Sequence, residues 1–168
     1  KDLSPAGFTP ATEGSLDVQA FNYEENSSKS PVNYVLPPGI TRQTDPGQAQ
    51  LIQQNEQAML MRVNNLAPND ARAVYKNATF DMRNYKKIQM FVHAERLTDE
   101  ATEVLHDDEL TCFIRLGSDL QNNYYEYEIP LSLTAPGIYS NDRESDRRIV
   151  WPDKNMFDFP LSALTSDD

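Results

Sequence analysis

Apolar and polar side chains alternate along several short stretches of this chain. Met59, Met61 and Val63 alternate with Leu60, Arg62 and Asn64, the two-residue period that sends successive side chains to opposite faces of a strand. The pattern is clearest over Lys87–Glu95, where Ile88, Met90, Val92 and Ala94 point one way and Gln89, Phe91 and His93 the other. It returns over Leu110–Leu116, with Leu110, Cys112, Ile114 and Leu116 on one face and Thr111, Phe113 and Arg115 on the other. Tyr124–Leu131 follows, with Tyr125, Tyr127 and Ile129 opposite Tyr124, Glu126 and Glu128. The turn-rich stretch Gly117–Asn123 between the last two is short enough to make them a hairpin. Ile149–Trp151 and Met156–Leu161 are shorter strand candidates.

Helical spacing is scarce. Asp70 suits an N-cap, and Ala71, Val74 and Tyr75 suit one helical turn reaching Lys76. Gln48–Gln57 is free of Pro and Gly but poor in apolar residues, so a short helix there has little to bury. Thr98–Glu109 and Ser140–Arg148 read as charged loops. The early chain differs in character. Pro5, Pro10, Pro31, Pro37, Pro38 and Pro46 exclude a long helix or a central strand, and the β-like pieces Leu16–Tyr23 and Val32–Leu36 predict one or two edge strands. Residues 1–34 are therefore expected to be an extended lead-in to a domain over residues 35–168. Strands at this spacing without intervening helices predict a mostly β, antiparallel two-sheet sandwich, jelly-roll-like (galactose-binding-like) in its connections. No internal repeat is present.

Composition narrows the function classes. The 168 residues carry 26 acids against 15 bases, a net charge of −11. Acidity spread along the chain disfavours nucleic acid and anionic lipid, both of which call for clustered Lys and Arg. No stretch approaches the roughly 18 apolar residues of a spanning helix. The first residue is Lys1 and no basic-then-apolar leader follows, so the chain is expected to be a segment cut from a larger exported protein. The single cysteine excludes an internal disulfide, and a chain of this length buries about 70% of its unfolded surface without one.

Signals for catalysis are weak. Cys112 sits on the apolar face of its strand, where a thiol is inert. Ser118 follows Gly117 without the residues of a nucleophile elbow. The two histidines, His93 and His106, lack the spacing of a zinc site. The run His106-Asp107-Asp108-Glu109 could hold calcium but matches no calcium loop, and a solvated acidic turn explains it better. Neither a phosphate loop nor a dinucleotide fingerprint is present. The sequence thus points to no enzyme, no catalytic residue and no cofactor.

Two groups remain as binding candidates. Tyr124, Tyr125, Tyr127 and Trp151 could offer a partner surface or a platform for stacking sugar rings, against a plainer reading as cross-strand packing and, for Trp151, a plug at a core edge. Asp81, Arg83 and Tyr85 alternate before the strongest strand and suit a structural polar clamp.

Several stretches together resemble one family. They are Leu36-Pro-Pro-Gly-Ile40, Asn55-Glu56-Gln57, Asp70-Ala-Arg72 and Asp81-Met-Arg83-Asn-Tyr85-Lys86. They continue through Met90-Phe-Val-His-Ala94, Phe113-Ile-Arg-Leu-Gly-Ser-Asp119 and Asn123-Tyr-Tyr-Glu-Tyr-Glu128, and end with Val150-Trp-Pro152 and Phe157-Asp-Phe-Pro-Leu161. The chain resembles a soluble domain of the SprA/Sov family, giant outer-membrane translocons of type IX secretion in Bacteroidetes that are linked to gliding motility. The resemblance implies a place in the cell envelope, on the periplasmic or extracellular face of the outer membrane. It also implies protein partners, namely translocon subunits or secreted cargo, and no catalytic residue. A carbohydrate-binding module of a cell-surface protein, with a glycan as ligand, is the alternative.

Overall fold

The structure is a computed structural model that describes residues 14–44, 53–78, 84–97, 104–119 and 121–164. Its elements run in the order β1 (Ser15–Asn22), α1 (Tyr23–Asn26), β2 (Gln57–Asn64), β3 (Lys87–Met90), β4 (Thr111–Asp119), β5 (Asn123–Pro130), α2 (Glu144–Val150) and β6 (Phe157–Pro160), with short 3-10 turns at Asp153–Asn155 and Leu161–Leu164. The described strands form three two-stranded antiparallel sheets, β1–β2, β3–β6 and β4–β5. The chain is β-rich with little helix, as its alternating pattern predicts.

The β4–β5 hairpin follows the sequence closely. Cys112 lies opposite Ile129, Ile114 opposite Tyr127 and Leu116 opposite Tyr125, so these residues share a face. The strand outruns its expected end at Leu116 and pairs as far as Asp119. Gly117 is required there: a Cβ would lie 2.2 Å from the Asn123 carbonyl oxygen. The β3–β6 pair joins segments distant in sequence, with Ile88 opposite Phe159 and Met90 opposite Phe157 on one face. Its other face is polar, where Asp158 accepts from Gln89 at 2.8 Å and from Lys87 at 3.2 Å.

Two buried clusters result. One joins Val32, Tyr34, Val35 and Leu36 to Val150 and Trp151, with Phe21, Ala58 and Phe91 packed against it. The other gathers Ala94, Ile129, Leu131, Phe157 and Phe159, flanked by Ile88, Val92, Cys112 and Ile114. The segment 88–94 is the wall between them. Ile88, Val92 and Ala94 face the second cluster, while Phe91 and His93 turn to Trp151 in the first. Strand alternation divides one segment between two cores.

Several local expectations are corrected. The strand expected over Lys87–Glu95 keeps its ladder only to Met90; beyond it the chain is held by side-chain packing on both faces and by the Thr134 N–H, which donates to the Ala94 carbonyl at 2.8 Å. No helical turn forms over Asp70–Lys76. The Asp70 carboxylate instead accepts from the Ala71 N–H at 2.8 Å and pairs with Arg72 at 2.7 Å, whose guanidinium donates to the Gly14 carbonyl. This closes a local turn that competes with the helix. Ser140–Arg148 is not a loop throughout, because α2 begins at Glu144. Its seven residues and the C-cap Trp151 place Arg147, Val150 and Trp151 on one side at helical spacing, and Glu144 pairs with Arg148 one turn on. Ile149–Trp151 accordingly ends a helix rather than forming a strand, and Pro152 stops it.

The early pieces have different fates. Leu16–Tyr23 largely coincides with β1, which pairs with β2 along its whole length. Val32–Leu36 is no sheet edge: it is the most continuously buried stretch, with Val35 fully enclosed. Among the described residues its only bridge is Val32 to Gly137, in parallel sense. Of the short helix expected over Gln48–Gln57, residues 48–52 lie outside the described residues and Gln57 opens β2.

Candidate partner-binding surface

The buried strap 32–37 is held mainly by side chains, because it lacks a ladder. Asn33 donates from Nδ2 to the Tyr139 carbonyl at 2.9 Å and accepts from the Tyr139 N–H at 2.7 Å. Asn141 accepts from the Leu36 N–H at 2.9 Å. Arg147 donates to the carbonyls of Leu36, Pro37 and Ile40, and Trp151 Nε1 donates to the Val35 carbonyl at 2.8 Å. The rings of Phe21 and Tyr23 meet Tyr34, which meets Trp151 edge-on at 6.0 Å. Burial, with the nearby Glu56 charge, pushes the Tyr34 phenol up to about 12.

His93 stands where the two clusters meet. Its Nδ1 lies 2.9 Å from the Val150 carbonyl and 3.2 Å from Thr134 Oγ1, and its Nε2 lies 3.4 Å from Glu95. Glu95 also pairs with Lys29, whose ammonium sits 5.4 Å from the Phe21 ring centre. Burial works to raise the Glu95 carboxyl, but the hydrogen bonds and charges of His93 and Lys29 outweigh it and hold the group below the usual carboxylate range. Nothing in the one-dimensional pattern marks this network beyond the placement of His93 and Glu95 two residues apart.

The aromatic candidates separate. Trp151 is buried and committed to the strap. Tyr124 is half-buried on the opposite side of the hairpin from Tyr125, with the Arg115 guanidinium 4.2 Å from its ring centre. Tyr127 stacks on Phe159, centroids 4.1 Å apart. Tyr125 is exposed at 53%. Tyr139 is half-buried and donates its hydroxyl to the Ala135 carbonyl at 2.8 Å. Of these rings Tyr125 and Tyr127 are exposed, and one face of Tyr127 is taken by Phe159. Tyr85 is exposed, while Asp81 and Arg83, the rest of the expected clamp, lie outside the described residues.

The chemical candidates fare similarly. Cys112 is half-buried, and burial first, then the Glu128 charge, pushes its thiol up. Among the described residues no group of three or more His, Cys, Asp or Glu is placed to hold a metal ion; Asp107 instead accepts from the Leu133 N–H, and Glu109 from the His106 N–H.

One accessible feature has no signature in the sequence pattern. A concavity of about 3220 Å³ extends along β2, the segments 66–78 and 90–97, and β4. That exceeds the roughly 300–1,000 Å³ of a small-molecule site. It is lined by Met59, Val74, Tyr75, Leu97, Val104 and Tyr125, all more than 40% exposed. Exposed apolar side chains along a shared concavity are of the kind that protein contacts cover. Periodicity could place Met59 on a strand face, but it could not show that Val74, Val104 and Tyr125 converge on the same hollow.

Fold and surface together describe a β-rich domain with exposed apolar and aromatic side chains along one concavity. Over residues 2–167 the chain matches the family described as SprA_N, motility related/secretion protein, and it belongs to that family, as an N-terminal domain of the SprA/Sov group. No curated protein matches it.

Proposed function

We propose that this chain is a non-catalytic structural and interaction domain of an outer-membrane protein-secretion translocon, of the type IX kind that serves gliding motility in Bacteroidetes. Membership in a motility and secretion family supports a place in the cell envelope. No helix among the described residues is long and apolar enough to cross a membrane, which fits a domain outside the bilayer. The observation that carries the interaction role is the groove, in which exposed apolar side chains from separate segments face one hollow. We further read the antiparallel ladders as parts of a two-sheet, jelly-roll-like sandwich; the pairing of the distant strands β3 and β6 supports this.

The partners on this reading are translocon subunits or transiting cargo. A photo-crosslinking residue at Met59, Tyr75 or Tyr125 in the assembled translocon tests it, with Ile149 as a control that is 51% exposed outside the groove. Crosslinks to a subunit or a cargo protein from the groove positions, and not from Ile149, are expected. Equal labelling at all four positions, or none at the groove, overturns the assignment.

A further inference from the structure

Strands β2 and β4 border the groove with an edge rather than with one face. Every residue from 56 to 65 and from 109 to 118 lines it, while successive side chains of a strand point to opposite faces. From β1, the neighbour of β2, only Phe21 reaches the hollow.

The ladder shows which main-chain groups the β2 edge offers. The Tyr23 N–H bonds the Glu56 carbonyl just before β2, and hydrogen-bonded pairs recur at alternate positions of an antiparallel ladder. Ala58, Leu60 and Arg62 therefore bond β1, opposite Phe21, Gln19 and Asp17. Met59, Met61 and Val63 turn their N–H and C=O groups the other way, toward the groove, and among the described residues these groups meet no partner. Sheets blunt such an edge with Lys, Pro or a bulge. β2 has none of the three: its register is unbroken over eight residues, and its one charged side chain is Arg62. The β4 edge is partly engaged, because the Phe113 N–H meets the Cys112 sulfur.

The unengaged charge of the groove is opposite to that of the chain. Asp70 pairs with Arg72, Glu95 with Lys29 and Glu126 with Arg115, while Glu128 accepts from the Thr111 hydroxyl and Glu109 from the His106 N–H. Glu56 remains, and its charge acts on Tyr34. Arg62, Lys76 and Arg96 line the same hollow, are exposed, and form no ion pair among the described residues. These cations, on a chain of net charge −11, select for an acidic partner over a basic one.

We propose that the groove receives an extended, acidic segment of a protein partner, which adds to the outer edge of β2 as a further strand. This occupant presupposes that the groove is the partner surface proposed above. The main chain of the segment bonds Met59, Met61 and Val63. Its side chains alternate: apolar ones share the face of Met59, Met61 and Val63, and carboxylates share the face of Arg62.

A photo-crosslinking residue placed singly at Met59, Met61 and Val63 in the assembled translocon, with the linked partner residues identified by mass spectrometry, tests this. An added strand pairs in fixed register, so the three positions should link, in order, to partner residues two apart in one segment where acids outnumber bases. Val18, exposed on the outer edge of β1 and outside the groove, should give no such link. Met61→Pro removes an outward N–H and no bond to β1, so it should cut the Met59 link at least about tenfold and leave the urea midpoint near that of Met61→Ala. Met61→Ala keeps the N–H and should keep the link. If Met61→Pro lowers the midpoint, the register of the links decides alone. Replacing Arg62, Lys76 and Arg96 together by Gln should weaken the link and remove its decline with salt. Groove links without a two-residue register, or a folded Met61→Pro that links as well as Met61→Ala, overturn the added strand and leave the groove as a contact surface. Links to a second copy of this chain, or to a segment where bases outnumber acids, overturn the acidic partner. No link from any groove position overturns the contact surface as well.

Discussion

The two cores are built by different means. The second cluster rests on ladders: β4–β5 and β3–β6 carry Ile129, Phe157 and Phe159 inward at alternate positions, and main-chain bonds fix their register. The first cluster rests on side chains. Among the described residues its central strap makes one bridge, and the Tyr34 N–H bonds the Asn26 carbonyl; other strap backbone groups bond to the side chains of Asn141, Arg147 and Trp151, and the strap's own Asn33 bonds the Tyr139 main chain. A ladder spreads its stability over many equivalent bonds, so single changes on its exposed face are absorbed. A strap held by a few side chains concentrates it, and each of those side chains becomes hard to replace.

Substitutions at three positions sharpen the contrast. The largest effect is expected at Trp151, where replacement by Ala removes a buried indole and its bond to Val35. A loss of about 3–5 kcal/mol is expected from chemical denaturation; a loss under about 1 kcal/mol would mean that the strap is not part of the cooperative core. Asn155 comes next. It is fully buried at the edge of the second cluster, where its amide accepts from the Ser132 N–H and donates to the Ser132 carbonyl, both at 2.8 Å. Asn155→Ala strands two main-chain groups and should cost about 2 kcal/mol. Asn155→Asp, which keeps the acceptor alone, should recover part of that loss, and equal losses in the two variants would count against this pairing. The smallest effect is at Tyr125, exposed on the hairpin. Tyr125→Ala should change stability by less than about 0.5 kcal/mol while weakening partner crosslinks in the groove, so a large loss of stability there would remove it from the contact surface.

The same division separates what was legible in advance. The hairpin residues Cys112, Ile114, Tyr127 and Ile129 show their common face through simple alternation, because a strand's side chains obey a period of two whatever surrounds them. The wall segment 88–94 was legible as extended, yet its two faces serve different cores, and alternation alone does not say what each face meets. α2 was not legible. Its charged residues Glu144, Asp146, Arg147 and Arg148 hid a short apolar side that exists only because Val150 and Trp151 have a strap to cover. The prolines around Val32–Leu36 argue correctly against a laddered strand but say nothing of burial.

Of the binding candidates, Tyr124, Tyr125 and Tyr127 were placed on alternating faces by their order in the chain. Arg115 covers the ring of Tyr124 and Phe159 takes one face of Tyr127, both from other positions, which leaves Tyr125 the most exposed of the three. The groove itself draws on Met59, Val74, Val104 and Tyr125, residues with no common period.

By itself the sequence determined the β-rich class, the positions of β1, β2, β4, β5 and β6, the lack of a spanning helix and, through its combined motifs, the family. These depend on local periodicity and on residue identity. Tertiary structure decided the burial of the strap, the helix at 144–150, the partners of His93 and the convergence of the groove. Each of these depends on contacts between segments far apart in the chain, where a residue's role is set by what packs against it.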